Sequence, residues 1–265
     1  MSLRISICIV VRNAVHDLTC TLASLDRHSR TLNLLPAEIV VVDGYSTDGG
    51  HALLVDWSRH FPCVTRLVQQ SPSGIYPAMN LCAGLAQAEW IMFINAGDLL
   101  MDAAPLAPAL SFAQETGARS IQFESAVFRP GSAFGYWVPR SFPACHQSLV
   151  YRRDLHECCG LYTESLDIVS DRLFDLSIRK YGRIQYPALL SATQVSPANA
   201  SRDPKRLKKD WMITRESNIP FDIGTLGRLT FFLLKIEKQL GVSLSVWVRL
   251  WISLLMGRAK LVQLG

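Results

Sequence analysis

The chain has a low share of charged residues and lacks the signatures of several common enzyme classes. Only 18% of its 265 residues are charged while 49% are apolar, which is enough to build a substantial core. No G-x-G-x-x-G sequence follows the first apolar run, and this absence argues against a dinucleotide-dependent oxidoreductase. The same position carries no glycine-rich, basic phosphate loop, which argues against a nucleotidyltransferase.

The seven cysteines include no C-x-x-C pair and no zinc-type spacing. Cys158 and Cys159 are adjacent and poorly placed to bridge each other, so we expect reduced thiols, as in a cytosolic protein. The apolar start is short and strand-like and has no small-residue cleavage site, so no cleavable signal peptide is expected. The sequence also has no internal repeat and no low-complexity tract.

One apolar run, from Trp90 to Asp98, has the composition of a buried strand and ends abruptly in a carboxylate. In open α/β sheets, ligands bind beyond the carboxyl ends of the strands. A single carboxylate at such a place can hold a divalent cation against a diphosphate, because hard cations share their oxygen ligands with substrate phosphates. The alternative is an ordinary turn, since Asp98 and the preceding Gly97 are both common turn residues.

Two further β-branched runs end in polar residues. Residues 38–43 end in Asp43, and residues 5–11 are followed by Arg12 and Asn13. Both runs are too short for a typical helix and are rich in residues that favour strands. Three parallel strands that end in polar groups would bring those groups to one edge of a sheet, which predicts a ligand site there.

The remaining pattern alternates between strands and helices. Such alternation predicts parallel βαβ units and therefore an α/β fold. Helices are predicted over residues 14–30, 49–60, 77–88 and 171–181, and strands over residues 63–69, 120–128 and 148–151.

The order of these motifs is more specific than any one of them. The motifs are Arg12-Asn13, the Val-Val-Asp-Gly-Tyr-Ser-Thr-Asp-Gly turn from Val41 to Gly49, Ser73 to Asn80, Phe93 to Asp98, His146-Gln147-Ser148, and Ser170-Asp171. This ordered set resembles the family 2 nucleotide-sugar glycosyltransferases of GT-A fold, particularly the bacterial enzymes that build exopolysaccharide and colanic-acid-like repeat units. The resemblance covers about residues 4–190. It implies a Rossmann-like, mixed and mostly parallel central sheet flanked by helices.

The resemblance also implies catalytic roles. Asp98 would be the carboxylate that binds a divalent cation, Mn²⁺ or Mg²⁺. Asp171 would be the base that takes the proton of the acceptor hydroxyl, with Asp175 as the second choice. A partly desolvated pocket is expected to raise the pKa of Asp171, which suits that role. Asp171 is also placed to cap a helix, and the two roles are compatible.

Two further groups of residues are assigned to ligands by the resemblance. The nucleotide would be contacted by Arg12, Asn13, Asp43 and Asn95, although Asp43 and Asn13 also suit turns. The donor or acceptor pocket would be lined by Tyr76, Met79, Asn80, His146 and Gln147. For His146, a structural role is an equal alternative.

The chain departs from its relatives at three positions. Pro72, Pro77 and Gly97 stand where many relatives carry acidic residues. Pro77 suits the first turn of a helix, where its missing N–H costs nothing. The lost carboxylates nevertheless leave an alternative function open, that of a catalytically weakened nucleotide-sugar-binding subunit of a polysaccharide assembly complex.

The C-terminal part differs in character from the rest, so we divide the chain into a catalytic domain at 1–200 and a basic amphipathic helical extension at 201–265. From Gly224 onward, six basic residues oppose the single acid Glu237, so this tail carries the whole net charge of +5. The run from Leu240 to Met256 is mostly apolar but too short, with a central Arg249, to span a membrane comfortably. Ser245, Arg249, Ser253, Gly257 and Lys260 fall on one polar stripe at helical spacing, which continues beyond the end of that run.

A basic amphipathic helix is typical of contact with an anionic membrane surface. The alternatives are packing on the catalytic domain or in a homodimer. Nucleic-acid binding is not expected, because the basic residues of the tail are interspersed with leucine and tryptophan. The leading prediction is an inverting glycosyltransferase, cytoplasmic and peripheral at the inner face of the plasma membrane. It would move a sugar from a nucleoside-diphosphate donor, UDP-linked by preference, to a glycan or lipid-linked acceptor.

Overall fold

The computed structural model describes residues 4–138, 145–195, 203–216 and 260–263. The strands are β1 (Ile5–Val11), β2 (Ala37–Asp43), β3 (Val64–Gln69), β4 (Trp90–Phe93), β5 (Leu99–Leu100), β6 (Ser120–Phe128), β7 (Phe134–Val138), β8 (Leu149–Arg152), β9 (Arg183–Gln194) and β10 (Lys260–Gln263). The helices are α1 (Val15–Arg27), α2 (Ser29–Leu34), α3 (Gly50–His60), α4 (Ile75–Leu85), α5 (Leu106–Thr116), α6 (Leu155–Cys159), α7 (Ser170–Ile178) and α8 (Pro204–Glu216). Short 3₁₀ helices cover His146–Ser148 and Arg179–Tyr181.

The strands of the described part form one mixed sheet, whose main path runs β10-β7-β6-β8-β4-β1-β2-β3. In the half that contains β4, β1, β2 and β3, neighbouring strands are parallel, so their carboxyl ends lie at the same edge. β8 pairs antiparallel with both β4 and β6. β9 runs parallel to β6 and also pairs with β5, which brings the end of β9 beside Asp98.

Helices cover both faces of the sheet, and β1 and β2 are buried at every position as a result. Strands that are buried on both faces need continuous apolar runs, which explains their sequences. One face packs against α1 and α5 through Leu18, Leu22, Leu25, Leu106 and Leu110. The other face packs against α4 and α7 through Met79, Cys82, Phe174 and Ile178.

The predicted α/β architecture, with a mixed and mostly parallel sheet flanked by helices, is confirmed. β6 has the predicted bounds, and α7 with the 3₁₀ helix after it covers the helix predicted at 171–181. The prediction of one strand from Trp90 to Asp98 is wrong, because β4 ends at Phe93. The following residues turn through Gly97, whose φ of 98° is in the left-handed region.

The C-terminal extension is described only in part. α8 is a helix of the predicted extension, whereas Lys260 begins the strand β10, which pairs antiparallel with β7. The prediction that Lys260 continues a helical stripe is therefore wrong, because its backbone joins the sheet edge. The predicted helix from Leu240 to Met256 lies outside the described residues, and the domain boundary at residue 200 stays a prediction. Within the described ranges, no helix has the length and hydropathy needed to cross a membrane.

An aromatic cluster that includes Phe174 of α7 contains a half-buried histidine. The His156 ring stacks on Phe174 with centroids 4.5 Å apart, and its Nε2 lies 3.0 Å from the hydroxyl of Tyr151. Burial lowers the pKa of His156 to about 4, only partly opposed by a hydrogen bond to the carbonyl of Gly160. The unfolded chain therefore binds this proton more readily than the folded protein.

We expect this difference to appear in the pH dependence of stability. The contribution of His156 should be fully present above about pH 6.5 and should be lost as the pH falls from there towards 4, by roughly 3 kcal/mol at most. Urea unfolding between pH 7 and 4 measures it. His156→Phe keeps a stacked ring without a titrating group, so its free energy of unfolding should fall less. The exposed His60→Phe is the control, and parallel curves for all three proteins would contradict the assignment.

Candidate functional site

The turn that carries Asp98 is fastened to helix α1. The Gly97 N–H donates to Thr21 Oγ1 at 2.9 Å, and the Thr21 hydroxyl lies 2.8 Å from the carbonyl oxygen of Asp98. One turn further along α1, Ser24 Oγ accepts the N–H of Leu100 at 3.0 Å. Both hydroxyl residues are fully buried. Sequence reasoning missed Thr21 and Ser24, because a hydroxyl in the middle of a helix gives no sign of so distant a partner.

The carboxylate of Asp98 is buried, with only 5% of the residue exposed. Its Oδ2 accepts Gln147 Nε2 at 2.8 Å and the Asn95 N–H at 3.3 Å, while its Oδ1 accepts the Gln194 N–H at 3.3 Å. Burial raises the pKa of Asp98 to about 6, against the lowering effects of the His146 charge and the Gln147 hydrogen bond. A nearby cation would stabilise the ionised form of this buried carboxylate.

The donor set here fits a divalent cation only if the substrate supplies further ligands. In the described part of the chain, no group of three or more His, Cys, Asp or Glu residues converges as a metal site would require. Beside Asp98, however, the buried Oδ1 of Asn95 has no hydrogen-bond partner. Carboxylate and amide oxygens suit Mn²⁺ and Mg²⁺, which usually complete their coordination with phosphates and waters.

Asp171, the second residue of α7, is held by two side chains from other parts of the chain. The Tyr76 hydroxyl donates to Oδ1 at 2.8 Å, and His146 Nδ1 lies 3.0 Å from Oδ2. On its other side, His146 Nε2 lies 3.2 Å from Nδ2 of Asn95. The imidazole therefore connects Asp171 to the turn that carries Asp98. A small cavity borders this pair and is lined by Gln122, His146, Leu149, Asp171, Arg172 and Asp175.

The charge state of this pair corrects one prediction. Burial tends to raise the pKa of Asp171, but the hydrogen bond and charge of His146 and the hydrogen bond of Tyr76 outweigh it, so that the pKa lies below its ordinary value. The expected increase was wrong because the sequence did not reveal the two partners. For His146, burial acts to lower the pKa, but the hydrogen bond to Asp171 and the charges of Asp171 and Asp98 raise it overall.

Asp175, the second choice as base, lies in a different environment. It is 4% exposed and is surrounded by three guanidinium groups. Arg183 NH1 lies 2.6 Å from Oδ1, and Arg179 NH2 lies 2.5 Å from Oδ2. Arg172 NH1 is more distant, at 3.6 Å. These contacts suit an anchor for α7 better than a proton acceptor, since the Asp175 side chain is 5% exposed and shielded by guanidinium groups, whereas that of Asp171 is 22% exposed.

Three of the four residues predicted to contact the nucleotide cluster at the ends of β1 and β2, whereas Asn95 lies in the turn after β4. Asn13 Oδ1 accepts the N–H of Thr47 at 2.8 Å, and Asp43 Oδ1 accepts the N–H of Ser46 at 3.1 Å. Arg12 is exposed and its side chain covers Gly44, where an added Cβ would approach it to 3.1 Å. The structure thus brings Arg12, Asn13 and Asp43 together, and their contact with a nucleotide stays a prediction.

Other side chains beside this cluster were missed by sequence reasoning. Asp43 Oδ2 accepts Gln69 Nε2 at 3.1 Å and lies 3.0 Å from His51 Nδ1. Asp48 caps the start of α1 by accepting the N–H of Val15 at 2.8 Å. This hydrogen bond is the main reason why the pKa of Asp48 is lowered. Asp48 belongs to the recognised motif, but its role as a cap became visible only in the structure, where it lies next to the start of α1.

Tyr76, Met79 and Asn80, predicted to line a pocket, are largely buried. Met79 packs in the core on the α4 side of the sheet. Asn80 forms two hydrogen bonds with the backbone of Tyr162, accepting its N–H and donating to its carbonyl, both at 2.9 Å. Tyr76 alone reaches Asp171. Contact of these residues with a ligand stays a prediction, while Tyr76 holds Asp171 and Asn80 holds the chain at Tyr162.

Comparison with solved structures shows the same fold. The mannosyltransferase PcManGT from Pyrobaculum calidifontis, in complex with GDP-Man and Mn²⁺, superposes with a TM-score of 0.64 at 16% identity. The match covers 97% of this chain and 81% of PcManGT. TarS 1-349 from S. aureus, in complex with UDP, superposes over 95% of this chain and 78% of its own, with a TM-score of 0.61 at 18% identity. These values establish a GT-A-like architecture.

Comparison with known sequences identifies the family. A PGL/p-HBAD biosynthesis glycosyltransferase from Mycobacterium bovis is 29% identical over 162 residues, which cover 58% of this chain and 60% of that protein. The match therefore spans less than two thirds of the relative's length. The model of the family described as "Glycosyl transferase family 2" matches residues 6–164, more than half of the chain. The protein thus belongs to glycosyl transferase family 2.

Proposed function

We propose that the protein is an inverting, metal-dependent glycosyltransferase that moves a sugar from a nucleoside-diphosphate sugar to a glycan or lipid-linked acceptor. The observation that carries this proposal is a continuous set of contacts from Asp98 through Asn95 and His146 to Asp171. A cation ligand and a base must lie on opposite sides of one sugar if a leaving diphosphate and an incoming hydroxyl are to be served together. This network connects the candidate cation ligand, Asp98, to the candidate base, Asp171.

In the proposed reaction, the acceptor oxygen forms a bond to the anomeric carbon while the bond from that carbon to the diphosphate oxygen breaks. The bonding electrons leave with the diphosphate, and the acceptor proton passes to the Asp171 carboxylate. The lowered pKa keeps Asp171 ionised at neutral pH, as a proton acceptor must be, while making it a weaker base than the expected raised pKa would have done. His146 and Tyr76 contact the two carboxylate oxygens and so fix its orientation.

A bound Mn²⁺ or Mg²⁺ would stabilise the negative charge that develops on the leaving diphosphate. Asp98 and the Oδ1 of Asn95 are the groups that would hold it. Gln147 and the Asn95 N–H fix the Asp98 carboxylate in place. Support comes from the similar folds of PcManGT and GalNAc-T7, whose structures include Mn²⁺.

UDP-linked sugars are our proposed donors. TarS, which has a similar fold, has been solved with UDP and with UDP-GlcNAc, whereas PcManGT has been solved with GDP-Man. A lipid-linked or glycan acceptor of bacterial polysaccharide synthesis is proposed from the family branch that the motifs resemble. The mycobacterial relative, named for PGL/p-HBAD biosynthesis, is consistent with an acceptor in cell-surface glycan synthesis. We place the enzyme in the cytoplasm, at the inner face of the plasma membrane.

A donor-hydrolysis screen tests the function most directly, because slow hydrolysis of a donor requires no acceptor. Purified protein is incubated with a panel of UDP- and GDP-sugars, with Mn²⁺ or with EDTA, and the released nucleotide is measured. We expect turnover of at least one UDP-sugar only with the cation. Once an acceptor is found, NMR of the product determines whether the anomeric configuration is inverted. Tight nucleotide-sugar binding without turnover of any donor or acceptor would favour the weakened binding subunit instead.

We expect the basic tail to attach the enzyme to anionic membranes. Each basic residue near anionic lipid contributes about 1 kcal/mol, and the tail from Gly224 carries the net charge of +5. Deletion of 224–265 should release the protein from liposomes of anionic lipid and spare UDP binding, although it also removes β10. A sharper variant therefore replaces by glutamine the five basic residues that precede β10, namely Arg228, Lys235, Lys238, Arg249 and Arg258.

Co-sedimentation at low and high salt measures this attachment. High salt should weaken it only in part, since the proposed insertion of Trp247 and Trp251 at the membrane interface would be apolar and would not be screened by salt. The control replaces by glutamine three exposed basic residues of α8, namely Lys205, Arg206 and Lys208. If the intact protein ignores anionic liposomes at low salt, the tail is instead a core element or a homodimer interface.

A further inference from the structure

A buried carboxylate on α8 holds the chain segment that leads into Asp171. Asp210 is fully buried. Its Oδ1 accepts the N–H of Asp167 at 2.8 Å, and its Oδ2 accepts the N–H groups of Ile168 at 2.7 Å and Val169 at 3.1 Å. Hydrogen bonds to an ionised acceptor are roughly twice as strong as neutral ones. Three of them on successive residues fix the local backbone closely.

The segment from Gly160 to Val169 needs such anchors, because it contains no helix or strand of its own. Its backbone N–H groups cannot be satisfied by a regular hydrogen-bond ladder, and α7 begins without a side-chain cap of its own. Asp210 therefore satisfies N–H groups at the point where the chain enters α7. Asp171 follows two residues after Val169.

Helix α4 holds the same segment from the other side. Asn80 binds the backbone of Tyr162 through two hydrogen bonds. The Tyr76 oxygen accepts the N–H of Ser170 at 3.1 Å and its hydroxyl donates to Asp171. Four successive N–H groups, from Asp167 to Ser170, are thus held by two side chains from distant parts of the chain.

We propose that Asp210 is a positioning residue for transfer, which fixes the location of Asp171 by holding the turn in front of α7. The inference rests on the proposed function of Asp171 as the base. It also gives α8 a role in catalysis, although α8 lies beyond residues 6–164, which match the family. Lys209 supports the same contact, because its Nζ lies 2.7 Å from Oδ1 of Asp167.

The chemistry of the contact predicts a graded loss. Asp210→Asn retains one oxygen that can accept the N–H groups of Ile168 and Val169, whereas its NH₂ group cannot accept that of Asp167. Asp210→Ala accepts none of the three. Displacement of a catalytic group by about 1 Å can cost about 10²-fold in rate. We therefore expect kcat to fall by about that factor in Asp210→Ala and by less in Asp210→Asn.

The experiment measures kcat and donor KM in the full chain, with UDP affinity and melting temperature alongside. The donor KM and UDP affinity should stay within about twofold of wild type, because Asp210 acts on the acceptor side of the reaction. Thr214→Ala is the matched control. Thr214 is as buried as Asp210 on the same helix, but its hydroxyl donates to the carbonyl of Trp211 within α8. Its kcat should remain close to wild type.

The outcomes separate this inference from the proposed function. Wild-type kcat in Asp210→Ala, together with an inactive Asp171→Asn, would overturn the inference and leave the function standing. Equal losses of UDP affinity and kcat would overturn it too, because they indicate general damage. If the alanine variant does not fold, Asp210→Asn decides, and an unchanged kcat there refutes the inference. A wild-type protein without any transfer would refute the function and the inference together.

Discussion

Replacement of Asp98 by alanine should abolish cation-dependent nucleotide binding and lower the transfer rate by at least about 10²-fold. The variant removes the carboxylate that would hold the cation against the diphosphate. The fold should survive, because Thr21 and Ser24 hold this turn to α1 through backbone atoms that the substitution leaves intact. Isothermal titration with UDP, in Mn²⁺ and in EDTA, measures the loss of binding.

The control for this variant is Asp102→Ala, which removes an exposed carboxylate four residues further along the chain. Asp102 accepts only a local N–H, that of Ala104, among the contacts described for its carboxylate. It should therefore bind UDP with the cation dependence of the wild type. If Asp98→Ala retains the wild-type Mn²⁺-dependent affinity, the cation is held elsewhere and Asp98 serves only to organise its turn.

Replacement of Asp171 by asparagine should separate binding from chemistry. The amide keeps the shape of the carboxylate but cannot take up the acceptor proton, so transfer should fall by roughly 10²–10⁴-fold. Donor affinity should survive, since the base meets the acceptor rather than the nucleotide. Steady-state kinetics with a fixed acceptor, combined with UDP titration, measure both quantities.

Asp175→Asn provides the comparison for this experiment. Because three arginines surround Asp175, we expect its loss to lower the melting temperature rather than to block the chemistry selectively. A buried charge cluster that loses its carboxylate is strongly destabilised. Near-normal turnover in Asp171→Asn would exclude it as the base. Loss of turnover in a well-folded Asp175→Asn would then move the assignment to Asp175.

Much of the fold could be predicted because its signals are local. The apolar runs of β1 and β2 and the leucine stripe of α1 are readable within windows of a few residues. The strand β9 was not predicted, and neither was β5, which has only two residues. A strand as short as β5 is stabilised by its partner rather than by its own composition, and its pairing with β9 is what forms it.

The candidate site divides in the same way. The sequence by itself determined which polar residues follow which strands, and with them the family, since side-chain type and spacing carry that information. Only the tertiary structure decided the state of each group. It buried Asp98, paired Asp171 with His146 and Tyr76, and enclosed Asp175 among arginines.

The physical reason is that a pKa depends on burial and on charges within a few ångströms, whatever their separation along the chain. Tyr76 and Asp171 are 95 residues apart, and Gln147 and Asp98 are 49 apart, yet each pair forms a 2.8 Å hydrogen bond. Asp210 meets Ile168 across 42 residues. Periodicity encodes which face of an element is apolar, but it carries no record of which distant side chain will meet a carboxylate. The packing of α4, α7 and α8 determined which distant side chains meet these carboxylates.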